Sequence, residues 1–418
     1  MQEHEVAVVG AGAAGLMAAI FAAESGARVV LLEATRDGGR KILISGGGRC
    51  NVLPSRLSPA QYVTASSPHT MKKILLSWPL GEQRRFFEHD LGIPLALEEA
   101  TEKLFPVCNR ARDVRDALVR RAERAGVRLV FDARVDRLDR AEHAWAVSAG
   151  GSRFAAGGVV LATGGLSVPR TGSDGLGLRL LEKLGHTVHS LYPALTPLTA
   201  EPPVHASLSG VALPVGLTAP PPGGPFRTEG AFLFTHRGYS GPAVLDISHL
   251  ATRSSGPAEQ PILVSWGARD ENAWRRELSE GGGQKVLSAV RRSLPDRLAA
   301  RLLAEAAIDE QRSLAQLRRE ERNRLLDLLT RYPLPWTGDE GYRKAEVTGG
   351  GVSLAEVDPV TLESRKLPGL FLCGELLDAF GPIGGYNFAW AWATGRAAGW
   401  GAARAATGPP HATPGRPE

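Results

Sequence analysis

The chain is 418 residues long, 43% of its residues are hydrophobic and 22% are charged, and its formal net charge is +5. A chain of this length can bury a large core and is expected to form more than one domain, and its composition is that of an ordinary soluble protein. The three cysteines lie far apart in the sequence, which excludes a disulfide framework and predicts a reducing, cytoplasmic environment.

Charge and hydropathy also restrict the expected partners. The longest apolar run, residues 13–23, is too short to cross a bilayer, and no signal peptide is recognisable. The pI near 9.2 is compatible with nucleic acid, but the arginines are dispersed along the sequence, and a polyanionic small molecule accounts for the charge equally well. We therefore expect a small-molecule substrate, and neither nucleic acid nor a membrane as a partner.

Residues 5–33 predict a strand–helix–strand unit. The apolar run 5–9 indicates a buried strand, the small-residue segment 14–26 a helix packed on a sheet, and 27–33 a second buried strand. This βαβ arrangement opens a doubly wound, Rossmann-like α/β fold.

Further along the chain this α/β pattern is interrupted. A helix is predicted at 112–125, and a β-meander ends in the buried strand 159–162. Proline-rich β structure follows, and then charged amphipathic helices with solvated charged faces. The predicted domains are the first part of a dinucleotide-binding domain (1–190), an inserted β-rich domain (191–265), a small helical domain (266–340), the C-terminal return of the first domain (341–405) and a disordered tail (406–418).

A glycine-rich turn, GAGAAG, joins the first strand to the first helix. Gly10 permits the tight turn, Gly12 lets a pyrophosphate reach the N–H groups at the helix N-terminus, and Gly15 lets helix and strand pack closely. Glu33 ends the second strand, where its carboxylate can accept hydrogen bonds from ribose hydroxyls. Because strand, turn, helix and acid occur in the required order, we predict a dinucleotide site.

The dinucleotide could be NAD or FAD, and the rest of the chain favours FAD. The glycine motif occurs once, whereas nicotinamide reductases that carry both cofactors often have two such motifs. The strand at 159–162 ends in Thr163, Gly164 and Gly165, a pattern found where flavoprotein chains pass beneath the dinucleotide.

The segment GLFLCGELLDAFGPIGGYNFAWAWATGRAAG (369–399) strengthens this prediction. Glu375 and Asp378 are candidates to hold the ribityl or ribose region. A helix begins near Gly385, and its N-terminal N–H groups are expected to face the N1–C2=O end of the flavin, where partial positive charge stabilises an anionic reduced ring.

These motifs, together with GRKILISGGGRCN, EGAFLFTHRGYSGPAVL and VTGGGVSLAEVDPVTLESRKLPGLFLCGE, resemble the BaiN and aminoacetone oxidase family of bacterial flavoproteins over nearly the whole chain. The resemblance implies an FAD domain assembled from both chain ends, interrupted by a β-barrel-like domain and a small helical domain. It also implies one FAD per chain. The motifs and the resemblance together predict a cofactor site of Gly10, Gly12, Ala13, Ala14, Gly15, Glu33, Ala34, Arg40, Lys41, Gly46, Gly47, Gly48, Arg49, Cys50, Asn51, Val135, Ala162, Thr163, Gly164, Gly374, Glu375, Asp378, Gly384, Gly385, Tyr386, Asn387 and Phe388.

The loop GGRKILISGGGRCNV (39–53) follows the second strand, so we expect it beside the dinucleotide rather than between domains. Arg40 and Lys41 are predicted to balance the pyrophosphate charge. The glycine run 46–48 is predicted to let backbone amides pass close to the cofactor.

The end of this loop is expected to face the flavin. Arg49 and Asn51 are candidates for hydrogen bonds to that end of the cofactor. An arginine neighbour can lower the pKa of a thiol, yet a lone cysteine is more often a small packing residue. We expect Cys50 to shape the site without acting as a nucleophile.

Catalytic side chains are harder to identify. His236 and Arg237 lie on a turn of the inserted domain and could face the substrate side of the flavin, and Tyr386 and Asn387 could hydrogen-bond to its ring. The neighbouring Ser240 is expected to cap a helix. No zinc-ligand spacing, Walker loop, Ser-His-Asp order or C-x-x-C pair occurs, so we predict neither a metal site nor a dithiol relay.

We predict an FAD-dependent oxidoreductase that transfers hydride between the flavin and a small organic molecule. Electrons either pass to oxygen, as in an amine oxidase, or come from transiently bound NAD(P)H, as in a reductase. Two other classes stay open, a flavin-dependent RNA-modifying enzyme and a non-catalytic flavin-binding partner protein. The first requires basic and aromatic residues clustered on one surface, which the dispersed arginines and 6% aromatic content do not favour.

Overall fold

The computed structural model describes residues 2–141, 144–220, 225–280 and 282–407. These residues form two compact units, the first from residues 2–191 and 347–407 and the second from residues 192–346. The strands and helices of both predicted inserted domains therefore belong to the second unit. Of the predicted tail, residues 406–407 end the last helix and residues 408–418 lie outside the described residues.

Both units contain strands and helices. The strands are β1 (Gln2–Val9), β2 (Val29–Leu32), β3 (Leu53–Pro54), β4 (Leu95–Glu98), β5 (Lys103–Pro106), β6 (Arg128–Val130), β7 (Val135–Arg140), β8 (Trp145–Ala149), β9 (Ser152–Leu161), β10 (Val188–Ala194), β11 (Leu198–Thr199), β12 (Ala212–Ala219), β13 (Phe226–Phe234), β14 (Gly238–Ser240), β15 (Leu263–Trp266), β16 (Tyr332–Pro333), β17 (Gly338–Asp339), β18 (Val347–Val352) and β19 (Leu370–Leu372). The helices are α1 (Ala13–Glu24), α2 (Arg40–Ile44), α3 (Pro68–Leu75), α4 (Leu80–Arg85), α5 (Ala111–Arg124), α6 (Leu176–Lys183), α7 (Pro242–Ala251), α8 (Glu271–Glu280), α9 (Val286–Arg291), α10 (Asp296–Glu305), α11 (Arg319–Thr330) and α12 (Tyr386–Thr407).

A seven-stranded sheet in the order β6-β2-β1-β9-β8-β7, with β19 also paired to β9, forms the core of the first unit. β9 pairs with β1 along one edge, and along the other edge with β8 in its first half and with β19 in its second half. The parallel strands β2 and β19 are fully buried, as expected for a parallel sheet covered on both faces. Since β1 and β19 come from opposite parts of the chain, both chain ends build this sheet, and the Rossmann-type α/β fold is confirmed.

Helices α1 and α12 pack closely against each other. An added Cβ at Gly395 would lie 2.3 Å from the carbonyl oxygen of Ala14, and one at Gly399 would lie 2.3 Å from that of Ala18. Because real side chains do not tolerate such distances, glycine is required at both positions. The C-terminal helix is thereby held against the helix that follows the glycine-rich turn.

The second unit contains an antiparallel sheet in the order β16-β15-β12-β13-β14-β11-β17, together with α7 to α11. Its core includes leucines from the charged helices, such as Leu302 on α10 and Leu325 on α11. The predicted helix cap at Ser240 is wrong, because Ser240 ends β14 and Gly241 is the N-cap of α7. Backbone crowding selects Gly241, where an added Cβ would lie 2.6 Å from the carbonyl oxygen of Ala231.

Helix α12 is long but is not continuously apolar. It has 22 residues, and arginines occur at positions 396 and 404 within it. In the part of the chain that the structure describes, no helix has both the length and the apolar character needed to span a membrane.

Candidate functional site

The glycine-rich turn between β1 and α1 has two crowded positions and one open position. Gly10 has φ +101°, and an added Cβ there would lie 2.6 Å from the carbonyl oxygen of Ala162. An added Cβ at Gly15 would lie 1.8 Å from the carbonyl oxygen of Gly10. At Gly12, by contrast, no atom lies within 4 Å of an added Cβ, which leaves open space at the N-terminus of α1. An anionic group fits there, because the first helical N–H groups have no helical partners.

Glu33 lies at the end of β2 and braces the same turn. Its Oε2 accepts a 2.7 Å hydrogen bond from the Ala11 N–H, and its Oε1 accepts bonds from the N–H (2.9 Å) and hydroxyl (2.7 Å) of Thr35. A carboxylate offers about four lone-pair sites, so Glu33 retains acceptor capacity for ribose hydroxyls. The predicted ribose ligand therefore also holds the turn in shape.

The two cations predicted to balance the pyrophosphate instead contact protein carboxylates. The Arg40 Nε donates to Asp37 at 2.8 Å, and this hydrogen bond lowers the pKa of Asp37. The Lys41 Nζ donates to Glu375 and to the Ser167 hydroxyl, each at 2.6 Å. Sequence analysis missed this contact because Lys41 and Glu375 are 334 positions apart.

The glycine run 46–48 adopts left-handed backbone conformations, with φ between +54° and +86°. An added Cβ at Gly46 would lie 3.0 Å from the Phe105 ring, whereas none of the surrounding atoms lies within 4 Å of one at Gly47, so the run borders open space at Gly47. The Arg49 guanidinium contacts Glu98 at 2.8 Å and lies 3.9 Å from the Phe105 ring centroid, so it is engaged away from the predicted flavin contact. Asn51 is buried, and its Oδ1 has no hydrogen-bond partner, as expected of an atom that meets a ligand.

Cys50 is a core residue of the first unit. Its side chain is fully buried, and burial raises the pKa of its thiol to about 12. Its N–H donates to the Ser45 carbonyl at 3.0 Å, so neither its backbone donor nor its thiol faces open space. Burial supports the expected packing role of Cys50, and the raised pKa disfavours the thiolate form that a nucleophile requires.

We expect one of the three thiols to react with a disulfide reagent in the native protein. Cys108 is exposed, whereas Cys50 and Cys373 are buried and burial raises the pKa of both. A titration with Ellman's reagent at mildly alkaline pH should give one equivalent without denaturant and three equivalents in guanidinium. The variant Cys108→Ser should give none in the native state, and a second fast equivalent in the native protein would contradict the burial of Cys50.

The segment after β9 passes beside the glycine-rich turn. The Ala162 N–H donates to the Val9 carbonyl at 2.9 Å, which continues the pairing of β9 with β1. Gly164 has φ +71° and turns the chain away. The Thr163 hydroxyl is buried without a hydrogen-bond partner, which makes it a second candidate to meet a ligand.

Glu375 lies in a polar cluster inside the first unit. Its Oε1 accepts hydrogen bonds from the Thr348 N–H at 2.9 Å and the Ser167 hydroxyl at 2.8 Å, and its Oε2 accepts the bond from Lys41. Thr348 in turn accepts from the N–H of Leu166 at 2.7 Å. The cluster joins the 39–53 loop, the segment after β9 and the C-terminal return, which are the three segments predicted to surround the flavin.

Asp378 holds the segment of residues 64–66 in place through hydrogen bonds. It is 2% exposed, and its Oδ2 accepts from the N–H groups of Ala65 and Ser66 at 3.0 and 2.8 Å, and from the hydroxyls of Ser66 and Thr64 at 2.7 and 3.0 Å. The His189 imidazole lies 3.7 Å away. The serine and threonine partners carried no recognisable sequence signal. All four hydrogen bonds end on Oδ2, so Oδ1 retains acceptor capacity for the predicted ribose contact.

The GPIGGYN segment is held by its own side chains. The Asn387 amide donates to the Gly381 carbonyl and accepts from the Gly381 N–H, both at 2.9 Å, so it closes the loop rather than presenting free donors to a flavin. The Tyr386 hydroxyl donates to Gln61 at 2.7 Å. An added Cβ at Gly385 would lie 2.5 Å from the Leu53 backbone, which explains the glycine before α12.

The remaining predicted site residues are distributed between the two units. His236 and Arg237 are exposed on the turn between β13 and β14 of the second unit. In the first unit, Phe388 stacks on Trp392 with ring centroids 5.2 Å apart. The other residues of the predicted cofactor site also lie in the first unit. Ala14 in α1 and Val135 in β7 are buried, Ala13 in α1 is half-buried, and Ala34 after β2 is exposed. Gly374 and Gly384 both have positive φ.

The first unit therefore fits a dinucleotide flavin. It offers open space at Gly12, acceptor capacity on Glu33, and two buried polar atoms without partners, on Asn51 and Thr163. All of these residues lie in segments that the sequence predicted to surround FAD. Bound FAD would hydrogen-bond with the two orphaned side chains, which otherwise carry the cost of buried polar atoms without partners.

Known proteins that resemble this chain support the assignment of a flavin site. Residues 4–401 match the family described as HI0933-like protein Rossmann domain. A ribosomal RNA dihydrouridine synthase of Escherichia coli is 34% identical over 398 residues, 94% of this chain and 96% of that protein. A 3-dehydro-bile acid delta(4,6)-reductase of Clostridium scindens is 32% identical over 413 residues, 96% of this chain and 99% of that protein. Among solved structures, a 3-ketosteroid delta1-dehydrogenase of Sterolibacterium denitrificans shares the fold, with a TM-score of 0.52, 13% identity and coverage of 96% of this chain and 100% of that chain.

These relatives correct one prediction about partners. The exclusion of nucleic acid is wrong, because a relative aligned over 94% of this chain bears the name of an enzyme that modifies ribosomal RNA. The exclusion relied on the dispersion of arginines along the sequence. Residues far apart in sequence can share one surface after folding, so that dispersion does not bear on clustering in space.

Proposed function

Because the chain belongs to the HI0933-like Rossmann family of FAD-dependent oxidoreductases, we propose that it reduces uridine in ribosomal RNA to dihydrouridine. The observation that carries the proposal is the 34% identity with the ribosomal RNA dihydrouridine synthase, which extends over 94% of this chain and so reaches far beyond the dinucleotide-binding motifs. The net charge of +5 also suits a polyanionic partner.

The proposed reaction adds two hydrogens across the C5–C6 double bond of uracil. This bond is conjugated with the C4 carbonyl, so a hydride adds to C6, negative charge develops on the carbonyl oxygen, and a proton then adds to C5. Bound FAD, once reduced by NAD(P)H, would supply the hydride, and an acidic group beside the base would supply the proton. The protein has to hold the base against the flavin, exclude water and stabilise the charge on the carbonyl oxygen.

The first unit supplies the groups proposed to hold FAD. The open space at Gly12 would take the pyrophosphate at the N-terminus of α1, and Glu33 would accept from the ribose hydroxyls. Asn51 and Thr163 would hydrogen-bond with the cofactor through their orphaned oxygens. The N-terminus of α12 would add partial positive charge toward an anionic flavin edge.

A second candidate function follows from the other curated relative. The bile acid reductase name describes reduction of a carbon–carbon double bond, and its identity with this chain is 32% over 96% of the residues. A conjugated steroid ketone and uracil share the same reactive unit, a double bond next to a carbonyl. The flavin reaction is therefore the same for both substrates. The choice between them depends on the protein groups that bind the rest of the substrate.

Product analysis tests the two candidates against each other. The FAD-loaded protein is incubated under anaerobic conditions with NADH or NADPH and either an unmodified ribosomal RNA transcript or a steroid with a conjugated 4,6-diene-3-one. Nuclease digestion and mass spectrometry should show dihydrouridine, a gain of two hydrogens, in the RNA sample. A reduced steroid with unchanged RNA would favour the second candidate, and no product from either substrate would contradict both.

A further inference from the structure

A surface of the first unit combines an exposed tryptophan with several cations. On α12, Arg396, Trp400 and Arg404 follow one another at four-residue spacing, which places them along one face of the helix. Trp400 is 40% exposed, an unusual degree for so large an apolar side chain. The mechanism proposed above uses none of these residues.

The ring of Trp400 is held in place by its neighbours. The Arg396 guanidinium lies 3.6 Å from the centroid of this ring, 5.1 Å from that of Trp78 and 5.6 Å from that of Phe21. Phe21 meets Trp400 edge to face at a centroid distance of 5.7 Å. Such packing fixes the tryptophan at the surface and limits the entropy lost when a partner stacks on it.

Helix α3 packs against α12 and carries further cations. The Arg396 Nη1 donates to the Ser77 carbonyl at 3.3 Å, which joins α12 to the segment just after α3. Lys72 and Lys73 are exposed in the last turn of α3, and Leu76, which follows that turn, is 43% exposed. We call Lys72, Lys73, Leu76, Arg396, Trp400 and Arg404 the Trp400 patch.

Within the described ranges, the four cations of the Trp400 patch are not paired with protein carboxylates. Among the described residues, Lys72, Lys73, Arg396 and Arg404 each lack a carboxylate within 4 Å. Glu82 on α4 is the acid whose charge acts on Arg396 from a greater distance. Burial against the rings lowers the pKa of Arg396, so an anion placed beside this partly dehydrated guanidinium would stabilise its charged form.

We propose that the Trp400 patch docks single-stranded RNA, with a base stacked on Trp400 and the flanking phosphates against the lysines and arginines. This inference rests on the proposed function and deepens it by naming the surface that binds the RNA. A fixed aromatic ring beside unpaired cations is the combination that single-stranded nucleic acid requires, because every base offers a flat face and every linkage a negative charge. The cations favour RNA over an uncharged protein partner.

The test measures RNA binding and RNA reduction separately, with the FAD-loaded protein. Binding of a fluorescein-labelled single-stranded oligouridine is followed by anisotropy at several salt concentrations. Trp400→Ala should weaken binding by about tenfold or more, whereas Trp400→Phe should retain most of it because a stacking ring remains. Lys72→Ala/Lys73→Ala should reduce the slope of log Kd against log salt by about 1.4, about 0.7 for each lost phosphate contact.

A matched control removes the same charge elsewhere. Arg120→Ala/Arg124→Ala takes two exposed cations from α5 and should leave the affinity for oligouridine within about twofold of the wild type. Wild-type affinity in both the Trp400→Ala and the double-lysine variants would overturn the proposal, as would a wild type that does not bind oligouridine. A changed oligomeric mass with unchanged RNA affinity would also overturn it and assign the patch to a protein partner.

The two proposals fail in different ways. If the wild type binds oligouridine through the patch but forms no dihydrouridine in a ribosomal RNA transcript, the proposed function fails and the docking surface stands. If the wild type forms dihydrouridine and the patch variants bind and react like it, the docking surface fails and the function stands. Flavin content and the rate of flavin reduction by NAD(P)H should be the same in all variants, since the patch does not include the predicted cofactor residues.

Discussion

Gly12→Asp is expected to yield a folded protein that no longer retains FAD. No atom lies within 4 Å of an added Cβ at Gly12, and its φ of −76° suits any residue, so the fold should persist. The new carboxylate would face the pyrophosphate at the N-terminus of α1. Two like charges 4 Å apart repel by about 4 kcal/mol at an effective dielectric constant of 20, which lowers affinity on the order of a thousandfold. Flavin fluorescence quenching measures the affinity, and circular dichroism reports the fold.

Two neighbouring variants control for this effect. Gly12→Ala adds volume without charge and should bind FAD within about tenfold of the wild type. Gly15→Ala should lower both stability and FAD content, because its Cβ would lie 1.8 Å from the carbonyl oxygen of Gly10. Wild-type FAD affinity in Gly12→Asp would mean that the pyrophosphate does not lie at this turn.

Asp378→Ala is expected to lower the free energy of unfolding by about 3 kcal/mol at saturating FAD. The carboxylate is 2% exposed and accepts hydrogen bonds from two backbone N–H groups and two hydroxyls of residues 64–66. Its removal leaves buried donors without a partner, and each such donor costs about 1–3 kcal/mol. Urea unfolding followed by tryptophan fluorescence measures the loss, with FAD held constant because ligand binding shifts apparent stability.

Asp358 provides the matched control, because it also accepts from backbone N–H groups but its side chain is 41% exposed. Asp358→Ala should cost about 1 kcal/mol, since water can replace the lost acceptor. Asp378→Asn keeps one acceptor oxygen and should lose less stability than Asp378→Ala. Unchanged stability in Asp378→Ala with loss of FAD would assign Asp378 to the cofactor and contradict its role as an anchor.

The Rossmann-type fold and the FAD cofactor could be predicted because they depend on local patterns. Buried strands, the glycine-rich turn and Glu33 follow one another within 33 residues, so their order identifies the βαβ unit without any tertiary information. The return of β19 to the sheet came from the resemblance of the C-terminal segment to known flavoproteins. Both predictions, and the assignment to an FAD-dependent oxidoreductase, are confirmed.

The partners of individual side chains could not be predicted, because they depend on contacts between distant segments. Lys41 was assigned to the pyrophosphate and instead contacts Glu375 across 334 positions. Arg49 was assigned to the flavin and instead contacts Glu98 and Phe105. A cation has many potential acceptors in a sequence of this length, and only the fold selects among them.

The sequence was least informative about surfaces. The dispersed arginines were taken to disfavour RNA, yet folding packs α3, which carries Lys72 and Lys73, against α12, which carries Arg396 and Trp400. An amino-acid count does not report such clustering, because it contains no distances. The low aromatic content was equally uninformative, since one exposed ring is enough to stack a base.

An anaerobic single-turnover experiment tests the central claim most directly. The FAD-loaded protein is reduced with a stoichiometric amount of NADH or NADPH and mixed with an unmodified ribosomal RNA transcript, and flavin absorbance is recorded. Uridine reduction predicts that the oxidised flavin spectrum returns and that one dihydrouridine forms for each flavin oxidised. Flavin that stays reduced in the presence of the RNA, but is reoxidised by oxygen or by a conjugated steroid ketone, would contradict the claim.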